Sequence, residues 1–369
     1  MPAGRDVVIL GGGITGCAVA RVLSRRGLSV TIIEQEAVAS KASGVAAGLL
    51  PPFYEFEKPG PLTDLALKSL STHRGLGRQL REETGIDARY TQLPFLYLAF
   101  TKAEEEALRS RLAWQRATGL RIEVVDNATA REVEPRLTRE APWASLSLDE
   151  AQVEAYSLTL AYAADAERHG AQFVYAEVTG LRPEGHRVAA VRTARGEIPC
   201  GQVVVAMGPW SCVAGEWLGV PIPVSPLKGQ IVILRPPGGP LKAVVMHHLG
   251  YLATKPIAGT LAGTTEEEVG YDAVPTSAAR KQIMSAVLRL MPSVEAAEVV
   301  RMVAGLRPIT PDRLPIFGRA PGWDNAIIAA GAGRNGVLLS PVTAEIVAAL
   351  ATGENPGVDL TPFRPERFV

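Results

Sequence analysis

The chain has 369 residues, 47% hydrophobic and 21% charged, the balance of an ordinary soluble globular protein with length for two domains. Lys+Arg and Asp+Glu both number 38, so the formal charge is zero and neither nucleic acid nor an anionic membrane is an expected partner. Three cysteines (Cys17, Cys200, Cys212), odd in number and without CxxC spacing, argue against a disulfide framework or a zinc site and favour a reducing, cytoplasmic location.

At the N-terminus, Arg5, the apolar run from Val7 and Ala18-Val19-Ala20 imitate a signal peptide, but Asp6 and Gly11 to Gly13 interrupt the pattern. No stretch reads as the roughly 18–20 apolar residues a membrane span needs. Residues 6–10 (DVVIL) instead predict a buried strand, followed by GGGITG and a helical pattern that Gly27 stops. Residues 29–33 predict a second strand, ending at Glu34. Strand, GxGxxG, helix, strand and acid together form a dinucleotide fingerprint. Gly11 permits the tight turn, Gly13 admits a pyrophosphate and Gly16 allows close helix–strand packing. The helix N-terminus offers N–H groups to the diphosphate. Glu34 is placed for ribose hydroxyls and disfavours a 2′-phosphate. The glycines make room for an ADP moiety, and at this point its other half is nicotinamide or flavin.

Residues 42–50 are small. Helices are predicted at 62–84, 102–118 and 156–169, and a strand at 92–100. Residues 172–175 and 188–193 read as strands flanking a turn at Glu184-Gly185. Residues 203–210 predict a strand running into a turn at Gly208, and 326–330 repeat the pattern before Gly331–Gly336 and a helix over about 340–350. Between them, 231–234, 244–247, 250–254 and 260–263 read as a mostly antiparallel sheet. The expected fold class is α/β. It is a Rossmann-like dinucleotide domain (1–85, 145–215, 300–369) interleaved with a mostly antiparallel substrate domain (86–144, 216–299).

Other candidates carry no chemistry in this reading. His247 and His248, as strand neighbours, should point to opposite faces and not share a metal. Glu266-Glu267-Glu268 reads as a solvated charge run, and Cys17 as a small core residue. No GxSxG or GxxxxGK[ST] motif occurs.

The closing segments AGLRP (304–308), PIFGR (315–319) and AAGAGRNGV (329–337), with the N-terminal fingerprint and ASGVAAGLL (42–50), resemble the FAD-dependent glycine oxidases of the D-amino-acid oxidase superfamily. The likeness runs from residue 6 to about 350. It implies an FAD enzyme that oxidises a small amino acid at its C–N bond to a 2-oxo acid and ammonia, reducing oxygen to hydrogen peroxide. It implies FAD contacts at Ile14, Thr15, Glu34, Gln35, Ala42, Ser43, Ala47, Gly48, Leu49, Val178 and the run Ala332, Gly333, Arg334, Asn335, Gly336, Val337, Leu338. It also implies that Arg307 holds the substrate carboxylate, that Tyr251 assists it, and that Arg334 lies on the substrate side. A guanidinium grips a carboxylate bidentately, and Pro308 biases Arg307 to extended backbone. GAGRNG lacks the cysteine of covalently flavinylated relatives, so the FAD is expected to be noncovalent. Leu49 and Glu266 stand where methionines are expected. The resemblance further implies thiamine biosynthesis and a homotetramer. The alternative is a same-fold dehydrogenase of a D-amino acid, proline or sarcosine, using a quinone or other acceptor.

Overall fold

The computed structural model describes residues 5–53 and 58–369, so the rest of the predicted 1–85 segment lies outside the described residues. The β-branched runs form the expected buried strands. Arg5–Leu10 lies parallel between Val30–Glu34 and Gly196–Val205, with Gln172–Tyr175 and Ala326–Ala330 parallel beyond them. Val7, Ile9, Ile32 and Val204 are fully buried. Ile316–Arg319 closes one edge antiparallel. The hairpin Val178–Glu184/Arg187–Thr193 extends the other half of Gly196–Val205. Residues 172–175 thus do not flank the turn at Glu184-Gly185, as the sequence suggested. They pair in the parallel sheet, and 178–184 supplies the hairpin strand despite its Gly180 and Pro183.

Helices Ile14–Arg25, Pro61–Thr84, Ala155–Arg168 and Gly336–Thr352 pack together on one face. Pro61 opens the second of these at N1, and Gly85, with φ +76°, ends it in the left-handed conformation. The last, with the turn before it (Gly333–Thr352), is long and apolar enough to cross a membrane, contrary to the sequence reading. Most of it is buried, because its apolar surface packs against the neighbouring helices. Pro341 inside this helix has no N–H for the Val337 carbonyl four residues back. His73 Nε2 (3.1 Å) and Ser340 Oγ (2.9 Å) donate to that carbonyl instead. The Leu338 carbonyl accepts from Ser69 Oγ (2.6 Å) and His73 Nε2 (3.0 Å).

The second sheet has eight strands in the order Glu298–Ile309, Ser225–Arg235, Gly259–Gly263, Gly250–Lys255, Val244–His247, Phe95–Ala99, Trp143–Ser147 and Ile122–Asp126. Every pair is antiparallel except Val244–His247 with Phe95–Ala99. Helix Ser277–Leu290 packs on one face through Ile283, Val287 and Leu290. The predicted boundaries at 145 and 300 fall inside the strands Trp143–Ser147 and Glu298–Ile309, which both belong to this second sheet.

Candidate functional site

Four parallel strands of the first sheet end at Leu10, Glu34, Val205 and Ala330, and their carboxyl ends open into a cavity of about 580 Å³ facing the second sheet. Such a crevice is where an open α/β sheet binds its ligand. Gly11 has φ +106°, and a Cβ there would lie 2.4 Å from the Ala206 carbonyl oxygen. Gly16 lies behind the cavity, where a Cβ would come 2.0 Å from the Gly11 oxygen, so its absence lets helix and turn touch. The Glu34 carboxylate accepts the Gly12 N–H (2.8 Å) and the Glu36 N–H (2.9 Å), which fixes it at the cavity edge. Ser43 Oγ accepts the Ile14 N–H (2.9 Å) and so caps the first helix from the small-residue segment.

Gly13, Ile14, Thr15, Gln35, Ala42, Ala47, Gly48, Leu49, Val178, Gly208 and Ala332 to Val337 line the same cavity. Leu338 does not. Its side chain is buried in the helical core, because the helix turns it away from the loop.

The opposite wall is a face of the second sheet, where glycines leave room beside Ile231, Met246, Tyr251 and Arg307. Register pairs Gly229 with Gly305, Leu227 with Arg307, and Tyr251 with Gly263. The Arg307 guanidinium covers Gly229, where a Cβ would meet Nη2 at 2.2 Å. Nη2 donates to Thr264 Oγ1 (2.8 Å) and Nη1 to the Thr265 carbonyl (3.1 Å). The Tyr251 ring covers Gly263, with its hydroxyl 2.6 Å from a Cβ position there. Arg307, Tyr251 and Thr264 all border the cavity.

Arg334 also borders it, donating from Nε (3.0 Å) and Nη2 (2.7 Å) to Glu266 Oε1. Partial burial pushes the Glu266 carboxyl up, but Arg334, then Arg313 and Arg307, draw it below its ordinary value. Glu266 is thus paired although exposed, and the half-buried Glu267 accepts from Gln230 Nε2 (2.7 Å) and Thr265 Oγ1 (2.5 Å). Glu266 and Glu268 keep the expected exposed position, Glu268 without a part in these contacts.

Residues 6–350 match the family described as FAD dependent oxidoreductase. The chain belongs to that family. This FAD dependent oxidoreductase is 34% identical to the glycine oxidase of Geobacillus kaustophilus, over 99% of this chain and 97% of that one. It is 31% identical to the bifunctional protein ThiO/ThiG of a Synechocystis strain, over 99% of this chain but 54% of the relative. Among solved structures, the glycine oxidase from Geobacillus kaustophilus superposes with TM-score 0.95 at 33% identity, covering 99% of each chain. The L-proline dehydrogenase from P. horikoshii superposes with TM-score 0.90 at 26% identity, covering 100% of this chain and 98% of that one.

The chain's own residues fit an FAD. The glycine turn, the anchored Glu34 carboxylate and the loop 331–336 at a helix start lie along one continuous cavity, which the second sheet bounds. Sequence reading missed Thr264, which holds Arg307, and Gly229 and Gly263, which seat Arg307 and Tyr251. The signal was present, since glycine inside a strand marks close approach of another group.

His247 and His248 also depart from the reading. The strand ends at His247 and His248 lies in the turn, so alternation stops there. Their rings are 3.9 Å apart instead of on opposite faces, and both face Glu104.

Proposed function

We propose that this chain is a glycine-oxidase-type enzyme that oxidatively deaminates glycine or a small D- or N-methyl amino acid. For glycine, substrate, oxygen and water give glyoxylate, ammonia and hydrogen peroxide. The observation that carries the reading is the Arg307 guanidinium, held by Thr264 and Thr265 over a glycine, on the face opposite the dinucleotide turn. Arg307 binds the carboxylate, and Tyr251 on the same face orients it. Together they present the α-carbon and amine toward the loop 331–336. Thr264 acts by fixing the guanidinium plane. No side chain is assigned as a dedicated base, so the protein's contribution is orientation and electrostatics. When bound, FAD supplies the two-electron oxidation and passes the electrons to oxygen.

Noncovalent FAD is held in this reading by Gly11, Gly13, Ile14, Thr15, Glu34, Gln35, Ala42, Ser43, Ala47, Gly48, Leu49, Val178, Gly208 and residues 332–337. We also infer a role in thiamine biosynthesis, supported by the likeness to the bifunctional ThiO/ThiG, and a cytoplasmic homotetramer, which rests on the family resemblance alone. The dinucleotide domain comprises 1–85, about 148–215 and about 310–369, and the substrate domain 86–147 and 216–309.

The test begins with purified protein, which should be yellow and release FAD on denaturation. Glycine, sarcosine, D-alanine, D-proline, L-proline and benzylamine are then assayed with oxygen and with an artificial acceptor. Turnover of the amino acids should fall in the order wild type, Arg307→Lys, Arg307→Ala, with a total loss of roughly 30- to several-thousand-fold. Equal loss on benzylamine, which has no carboxylate, would remove Arg307 from substrate binding. Activity with the artificial acceptor alone would make the enzyme a dehydrogenase.

A further inference from the structure

The hairpin that carries Tyr251 also carries His247 and His248 at its turn, outside the cavity. Facing them is Glu104, in the first turn of helix Lys102–Ala117. Its Oε2 accepts the backbone N–H groups of Phe100 (2.7 Å) and Thr101 (2.9 Å), and Thr101 Oγ1 accepts the Glu104 N–H (3.2 Å). This capping box fixes the carboxylate and turns Oε1 toward the hairpin. Oε1 lies 3.1 Å from His247 Nε2 and 3.5 Å from His248 Nδ1, and all three atoms lie within 4.8 Å of one another.

We propose that Glu104, His247 and His248 form a binding site for a divalent transition-metal ion of the zinc class, separate from the redox site. This revises the sequence expectation that no metal is bound. A tetrahedral zinc with bonds of about 2.0–2.1 Å sets its ligand atoms roughly 3.3 Å apart, and two of the three edges here bracket that length. The His248 side chain is 66% exposed, so it can turn to close the third edge and leave the fourth position to water. Two imidazoles with one carboxylate favour zinc, nickel or copper over calcium or magnesium, which take oxygen ligands.

Burial works against the Glu104 charge, but the two backbone N–H groups and His247 hold its carboxyl down at about 2. Burial, chiefly, moves His247 below its ordinary value, while Glu104 works against that shift. Two features oppose binding. Arg289 lies 4.1 Å over the Phe100 ring, which itself packs edge-on to His247 at 5.0 Å, and so adds positive charge nearby. A metal on Nε2 also leaves the proton on Nδ1, which now accepts the Leu249 N–H at 3.4 Å. That contact is too long to be a strong hydrogen bond, and its loss costs little. A bound ion would tie the helix start to a hairpin whose Met246 and Tyr251 border the cavity.

The test uses the flavin-loaded full chain, freed of metal by a chelator and titrated calorimetrically with zinc sulfate. Wild type should take one ion per chain with micromolar or tighter affinity, and zinc should raise its melting temperature. His248→Ala and Glu104→Gln should each weaken binding by about tenfold or more and lose the melting shift. His248→Ala removes an exposed ring, so its metal-free melting should match wild type and report on the site rather than the fold. Wild type that takes up no zinc at micromolar concentrations would overturn the proposal. So would variants that bind as tightly as wild type.

Discussion

Replacing Gly229 by alanine would put a methyl carbon 2.2 Å from Nη2 and 2.3 Å from both Cζ and Nη1 of Arg307. Non-bonded atoms of this size settle at roughly 3.5 Å or more, so the guanidinium must retreat by about 1.3 Å. Gly229 does not have a positive φ, so alanine brings no backbone strain, and the effect is confined to the displaced group. The retreat breaks the bonds to Thr264 Oγ1 (2.8 Å) and the Thr265 carbonyl (3.1 Å). A misplacement of about 1 Å in a positioning group can cost on the order of 100-fold in rate. The kcat/KM of Gly229→Ala for glycine or sarcosine should fall by about that factor, mostly through KM, while benzylamine oxidation barely changes. Anaerobic flavin bleaching across substrate concentrations measures the first quantity, and flavin-monitored titration with acetate measures carboxylate affinity directly. Wild-type acetate affinity and turnover in the variant would refute the idea that the carboxylate sits on this guanidinium as it is oriented here.

Glu266→Gln removes the charge that occupies Arg334, so amino acids with a second carboxylate should gain several-fold relative to glycine. The ratio of kcat/KM for iminodiacetate and glycine checks this, and an unchanged ratio would show that Glu266 has no part in selectivity. Glu150 is fully buried, and burial pushes its carboxyl up to about 8 although the Tyr97 hydroxyl donates to it at 2.6 Å. The folded protein therefore keeps a proton that the unfolded chain releases above about 4.5, so this group's contribution is full at acid pH and lost as pH rises through about 8. Glu150→Gln is neutral at every pH and should gain on wild type by about 3 kcal/mol between pH 5 and pH 8 in denaturant melts. Parallel stability curves would exclude a proton on Glu150.

The strand–glycine–helix signal at residues 6–34 and the loop 331–336 were legible because their geometry is local. A tight turn, an anion-binding helix start and a closing acid all lie within one strand–helix–strand unit. The second sheet was legible only in part. The hairpin strands around Tyr251 could be read from their turns, but Trp143–Ser147 is a strand because it pairs with both Phe95–Ala99 and Ile122–Asp126, which lie far from it in sequence. Glu298–Ile309 was obscured by Gly305 and Pro308, which look like breakers until Ser225–Arg235 is laid beside them. The Glu266–Arg334 pair joins residues far apart in sequence, so no local pattern encodes it. His247 and His248 misled because alternation holds only while a strand lasts.

The proline in helix Gly336–Thr352 has a mechanical consequence. Because Val337 and Leu338 are held by Ser69 and His73, the helix's opening turn hangs from a neighbouring post, Pro61–Thr84, as well as from its own next turn. The glycine loop beside the redox site is suspended from that post. Burial pushes His73 down to about 4, which keeps the ring neutral across the physiological range. The bonds to the Val337 and Leu338 carbonyls themselves favour a charged ring, so acid strains this post through the cost of a buried charge and not by removing the bonds that hold the turn.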